Sequence, residues 1–132
     1  TDLQASLGLS QFNNLEKFIK LKKDIYKQYS NLLKNGLLKS FTENETPWFI
    51  DLFCDNKKQR RDLSEFLNKQ NIETRFSYPA LSSQNYLKNI NKANLGYSEQ
   101  ISENILWLPS STNLSNENIE YISHQINSFF EK

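Results

Sequence analysis

The sequence predicts an α+β layered fold: one long N-terminal helix, then a small mixed sheet with helices packed on one of its faces. Three observations predict it. Apolar residues recur at close to a helical period through the first part of the chain. Three short apolar runs, at 48–54, 72–76 and 105–108, have the length and aromatic content of strands. Between and after these runs the apolar spacing returns to a helical period, so helices and strands alternate without an internal repeat.

Thr1-Asp2-Leu3-Gln4 fits a capping box, in which the Thr1 hydroxyl accepts from the Gln4 amide and the Gln4 side chain reaches back. The stripe behind it runs from Leu3 through Phe12, Phe18, Ile25 and Tyr29 to Leu33. This helix is expected to end near Asn35-Gly36, where glycine can take the left-handed cap. Gly8 inside it costs about 1 kcal/mol relative to alanine and permits a bend or a close helix contact. Residues 37–41 are a short extended candidate, and 42–46 form a polar loop closed by Pro47. The run 48–54 is the clearest strand; being largely apolar, it is expected at the centre of the sheet.

Asp55-Asn56 offers a cap for a helix that buries Leu63, Phe66 and Leu67 and stops near Gln70-Asn71. Residues 72–76 form a second strand, 78–84 a loop around Pro79, 85–87 a short helix, and 88–97 a polar irregular stretch. Helix-starting character over 98–104 precedes the third strand, 105–108, which Pro109 stops. Ser115 caps the last helix, whose buried side holds Ile119, Ile122, Ile126, Phe129 and Phe130. The domain organisation expected is a long helix over 1–36 joined to a compact unit over 37–132.

At 132 residues the chain fits one domain, which at this size buries roughly two-thirds of its unfolded surface. Aromatic residues, at 13%, supply core volume. A net charge of +1 draws the chain to neither nucleic acid nor anionic lipid, so neither partner is expected. No run approaches the roughly 18 apolar residues of a spanning helix and no signal peptide is visible, which makes the cytoplasm the expected location. The single cysteine, Cys54, excludes an internal disulfide and reads as a small buried hydrophobe. The sequence holds no methionine and opens directly on a helix start. A trimmed initiator would account for the first, but the two together suggest a truncated or excised segment.

Familiar catalytic arrangements are missing. His124 is the one histidine, and a catalytic triad or zinc site needs convergent partners for it, so no catalytic or metal-ligating residue is assigned. Three separated glycines cannot cradle a phosphate. Lys57, Lys58, Arg60 and Arg61 are interleaved with Asp55, Asp62 and Glu65 and read as a solvated face. The stretch 73–79 differs, because it carries Arg75 and Tyr78 out of a strand and into a loop, where binding groups collect. Arg75 can grip a carboxylate or phosphate through two parallel hydrogen bonds, or pair with a nearby acid. Tyr78 can donate to a ligand or pack on Pro79.

Taken together, Thr1-Asp2-Leu3-Gln4-Ala5-Ser6-Leu7-Gly8-Leu9-Ser10-Gln11-Phe12 resembles the T-D-L/I-Q-A-A-L-G-L-x-Q-L segment of the DegT/StrS-type sugar aminotransferases. Pro47-Trp48-Phe49-Ile50-Asp51 is similar to that family's P-W-x-F/V-D strand, and the stretch from Asn71 to Leu81 to its G-I-x-T-R-x-x-Y-P-P-L turn. Leu106-Trp107-Leu108-Pro109-Ser110 resembles its L-W-L-P-S, and Leu114-Ser115 onward to Phe130 its C-terminal helix. Five segments in order cover nearly the whole chain. The resemblance is nearest to the perosamine-synthase-like nucleotide-sugar 4-aminotransferases.

The resemblance implies the small domain of a fold-type-I pyridoxal-phosphate enzyme, preceded by a bridging helix. It implies pyridoxal phosphate (PLP) in the full-length enzyme and none bound to this segment, because the family's cofactor lysine lies in a large domain that precedes these residues. It implies amino transfer from glutamate to a keto sugar in polysaccharide and lipopolysaccharide sugar biosynthesis, with this segment not catalytic alone. The implied partners are the large PLP domain, the second subunit of a homodimer and a nucleotide-sugar substrate. Arg75, Tyr78 and Gln84 match the family segment that approaches the substrate and are the implied substrate-binding residues. Ser82 stands where the family often has histidine, Ala80 replaces a proline, and Asn71 replaces a glycine, which asparagine can do because it also visits positive φ. A non-catalytic binding domain of the same fold, or the small domain of a related PLP-dependent sugar dehydratase, are the alternatives. Without its large domain the first helix is expected to self-associate through Phe12, Leu15 and Phe18.

Overall fold

The computed structural model of the chain describes residues 1–34, 36–87 and 95–131. The single N-terminal helix expected from the apolar period is two helices, α1 (Asp2–Phe12) and α2 (Leu15–Leu32). The break falls at Asn13-Asn14, where the Asn14 side-chain amide donates to the Ser10 carbonyl at 3.0 Å. Asparagine side chains compete with the helical ladder in this way, and two in a row interrupt it. The Thr1 capping box forms as read. Gly8 lies inside α1, and a Cβ there would meet nothing within 4 Å, so the close contact it permits is not made among the described residues.

Strands β1 (Ile50–Phe53), β2 (Arg75–Phe76) and β3 (Ile105–Leu108) form a sheet in the order β1–β3–β2. It is antiparallel throughout and not mixed. Helix α3 (Lys57–Lys69) returns the chain so that β1 and β2 run the same way, and β3 enters between them against both. The central place therefore belongs to β3, not to the 48–54 run. On its other side β1 meets, among the described residues, only the Leu38–Leu52 bridge, which is all that forms of the extended candidate at 37–41. Short 3-10 turns follow at Leu81–Ser83 and Asn85–Leu87, then α4 (Gly96–Asn104) and α5 (Asn116–Phe130). Helix α4 begins inside the stretch expected to be irregular; 88–94 of that stretch, and Asn35 of the expected helix end, lie outside the described residues.

One face of the sheet carries the core. Ile50, Leu52, Leu106 and Leu108 alternate onto it and pack with Tyr29, Leu63, Leu67, Ile119, Ile122 and Ile126 from the helices. A fully buried side chain of this size contributes about 1.5–3 kcal/mol. The Tyr29 hydroxyl donates to the Pro109 carbonyl at 3.0 Å, and the Lys22 amine donates to the Ser110 carbonyl and hydroxyl at 2.8 and 2.9 Å. These bonds fix α2 to the chain just beyond β3. Asn71 takes φ of 59°, the conformation expected of the residue standing in for glycine. The basic start of α3 is spent on ion pairs, Lys58 with Asp62 at 2.7 Å and Arg61 with Glu65 at 4.0 Å within the helix, and Lys57 with Glu103 of α4 at 2.7 Å. Arg60 alone turns inward, 7% exposed, with Nη1 donating to the Ser102 carbonyl at 3.1 Å. His124 is exposed on α5.

Cys54 is buried, and burial pushes its thiol up from 9.0 to about 12. At pH 8 its reaction with a disulfide reagent is expected to be about a thousandfold slower in the folded chain than in urea, from thiolate fraction alone. Equal rates would place the thiol in contact with solvent. Between pH about 9 and about 12 the folded chain keeps a proton that the unfolded chain has lost. Stability therefore falls as pH rises through that window.

Candidate functional site

The second face of the sheet is left partly open. Alternation along the strands puts Phe49, Asp51 and Phe53 on it from the β1 side, and Ile105 and Trp107 from β3, all half-buried. The register sets Trp107 directly between Asp51 on β1 and Arg75 on β2. Cross-strand partners share a face, so a carboxylate, an indole and a guanidinium form one row across this surface.

Aromatic rings order the row. Phe49 stacks on Trp107 with centroids 3.8 Å apart and planes 6° from parallel, and Trp48 stacks on Phe49 at 5.2 Å. Tyr78 meets Trp107 edge-on at 4.9 Å. The Trp107 indole stands directly across from Asp51 in the strand pair. Burial pushes the Asp51 carboxyl above the usual carboxylate range, opposed by the charge of Lys39 and by the indole.

The Phe49–Trp107 stack is a ridge between two hollows. On one side lies a hollow of about 860 Å³ with Arg75 at its wall and Ser110, Ser111 and Asn118 among its polar groups. On the other lies a hollow of about 670 Å³ that holds Asp51 and Tyr78. Each takes in the ridge itself.

Of the residues singled out in the sequence, Arg75 and Tyr78 come to opposite sides of Trp107. Arg75 is exposed; its Nε lies 4.0 Å from a Glu73 carboxylate oxygen, both side chains in solvent, and such a pair contributes at most about 1 kcal/mol. Gln84 ends the turn at Leu81–Ser83 and lines neither hollow. Ser82, at the position where the family often has histidine, is buried and donates to the Glu99 carboxylate of α4. Its hydroxyl ties the loop down. Sequence reasoning missed Asp51, Phe49 and Trp107, which it treated as parts of apolar strands. The available signal was Asp51, an acid in the middle of an otherwise apolar run.

This sheet, helix arrangement and aromatic face define a chain of one class. Residues 1–127 match the profile of the DegT/DnrJ/EryC1/StrS aminotransferase family, and the chain belongs to that family. It is 31% identical over 138 residues to a GDP-perosamine synthase of Escherichia coli O157:H7, a match spanning 98% of this chain and 36% of the relative. A lipopolysaccharide biosynthesis protein, RfbH of Salmonella typhimurium, is 28% identical over 98% of this chain and 32% of its own length. Spr1654 of Streptococcus pneumoniae, described as a sugar aminotransferase and solved in a PMP form, superposes with a TM-score of 0.84 at 24% identity. That superposition covers 99% of this chain and 35% of Spr1654, and it shows the fold. The chain spans about a third of the length of the relatives it matches.

The family is one of aminotransferases, and the solved Spr1654 is in a PMP form. Covalent capture of PLP takes a lysine amine beside the cofactor's ring. The larger hollow has no lysine in its wall, and Lys22, Lys57 and Lys58 are held by Ser110, Glu103 and Asp62. The larger hollow thus has rings, hydroxyls and one arginine to offer a ligand, and Lys39 lines the smaller one.

Proposed function

We propose that this chain is the C-terminal part of a PLP-dependent nucleotide-sugar aminotransferase, which moves an amino group from glutamate to a keto sugar for lipopolysaccharide. The observation that carries this reading is the match along nearly the whole chain to a GDP-perosamine synthase, ending on the sheet face that bears Arg75 and Trp107. Residues 1–36 bridge to a large PLP domain, and 37–132 form the unit that closes one side of the cleft. PLP, when bound to that large domain, supplies the electron sink for amino transfer.

The residues of this chain bind and orient. Arg75 presents a planar fork of donors to a carboxylate or phosphate. The Tyr78 phenol, 71% exposed and braced on Trp107, donates to the substrate. Gln84, outside both hollows, is assigned to the substrate side from its place at the end of the loop alone. A cytoplasmic location accords with this reading, and no described helix is long and apolar enough to cross a membrane. The test is to express the longer protein that contains these residues, load it with pyridoxal phosphate and add glutamate. A shift of the cofactor's absorption band, reversed by a nucleotide-linked keto sugar, is the expected result; an unchanged band would remove the aminotransferase reading and favour a non-catalytic domain.

The same reading assigns α1 to an interface with the large domain and a second subunit. Leu3, Leu7, Leu9 and Phe12 are 63–80% exposed, and no residue of α1 is buried. Monomeric proteins rarely leave such a patch in water. The 132-residue chain is expected to self-associate in sedimentation, through Phe12, Leu15 and Phe18, and Phe12→Asp is expected to return it to monomer. A clean monomer at high concentration before the substitution would refute the interface.

A further inference from the structure

The Tyr78 side of the ridge has a chemistry different from the Arg75 side. Its hollow is walled by aromatic rings, with Trp48, Tyr78 and Tyr97 at 76%, 71% and 76% exposure. Its charged lining is two carboxylates, Asp51 and Glu45, against one amine, Lys39. Excess negative charge repels a phosphate or a carboxylate. Exposed rings beside carboxylate acceptors and phenol donors suit a neutral ligand that is apolar on its faces and hydroxylated around its rim. A carboxylate has about four acceptor positions, and Asp51, paired across the strands with Trp107 of the ridge, lines this hollow. The guanidinium that would receive an anion stands across the ridge, in the other hollow.

We infer that the hollow bounded by Trp48, Tyr78, Tyr97 and Asp51 is a subsite for the pyranose ring of a nucleotide-linked hexose, with Asp51 accepting from a ring hydroxyl. The inference rests on the nucleotide-sugar reading above and adds the division it lacked: the sugar ring sits on the Tyr78 side, and the anionic part of the ligand on the Arg75 side.

The test follows the two indole N–H resonances of the isotope-labelled chain during titration with GDP-mannose and, separately, with GDP. GDP-mannose is expected to move the Trp48 resonance, and GDP to leave it in place, because Trp48 lines this hollow and not the one that holds Arg75. Asp51→Asn keeps the side chain's size and is expected to weaken GDP-mannose binding about fivefold, the effect of one hydrogen bond, with GDP unaffected. Tyr97→Ser removes an exposed ring, leaves the core alone, and is expected to act in the same direction. Equal responses to GDP and GDP-mannose, no response to GDP-mannose, or parental affinity in both variants would each overturn the subsite. The two readings fail separately: band shifts in the longer protein without a hexose response here remove the subsite alone, and a hexose response without band shifts removes the aminotransferase reading.

Discussion

Replacing Leu106 with alanine is expected to lower the unfolding free energy of the chain by about 3–4 kcal/mol, near the middle of the range for buried leucines. Leu106 is fully buried in the central strand, with Leu52 opposite it on β1 and Phe76 opposite it on β2. A strand paired on each side of β3 holds both neighbours in place, so the space left by the truncation cannot easily collapse. Urea unfolding at constant slope would measure the loss as a shift of the midpoint. A stability change below about 1 kcal/mol would mean that β3 is not the strand around which the core is packed.

Arg75→Ala, made in the longer protein, is expected to lower turnover at low substrate by about a hundredfold while leaving the urea midpoint nearly unchanged. The first part follows from losing a two-pronged, charge-assisted contact worth about 2–3 kcal/mol, where each 1.36 kcal/mol is tenfold in rate. The second follows from exposure: the Arg75 side chain is 77% in solvent and its pairing with Glu73 is long. Arg75→Lys keeps the charge but loses the planar fork, and should recover only part of the activity. Wild-type kinetics in Arg75→Ala would take this residue out of the site, whatever the fate of the hexose subsite.

Much of the fold was legible because local rules and tertiary packing agree here. The Thr1 and Ser115 caps, the Asn71 left-handed turn and the apolar stripes of α3 and α5 all form where short-range chemistry puts them. The N-terminal helix was read as continuous because the apolar stripe says nothing about Asn13-Asn14, where the Asn14 side chain bonds back to the Ser10 carbonyl and the ladder is interrupted. The 48–54 run looked central because it is apolar, yet part of that apolar surface belongs to the open face. Its strand is short, and Trp48 and Phe49 stack outside it.

The candidate site was legible only in part. Arg75 and Tyr78 announce themselves as polar groups where a strand turns into a loop. Asp51, Phe49 and Trp107 are scattered over almost sixty positions of the chain, and no local pattern marks them as neighbours. They meet because β3 crosses between β1 and β2, which aligns Asp51, Trp107 and Arg75 in one row. The neighbouring Ser82, which takes a position of interest in the family, turned out to be a buried tether to Glu99.

By itself, then, the sequence determined α3 and α5, the caps, the family resemblance and two polar groups at a strand end, since all of these are encoded over a few residues or along an ordered series of short segments. Which strand lies in the middle, which face stays open and which rings and charges gather on it were decided by the tertiary structure. Strand order and cross-strand register depend on how distant segments bury one another's apolar faces, and that competition among long-range contacts leaves no mark within any single stretch of the chain.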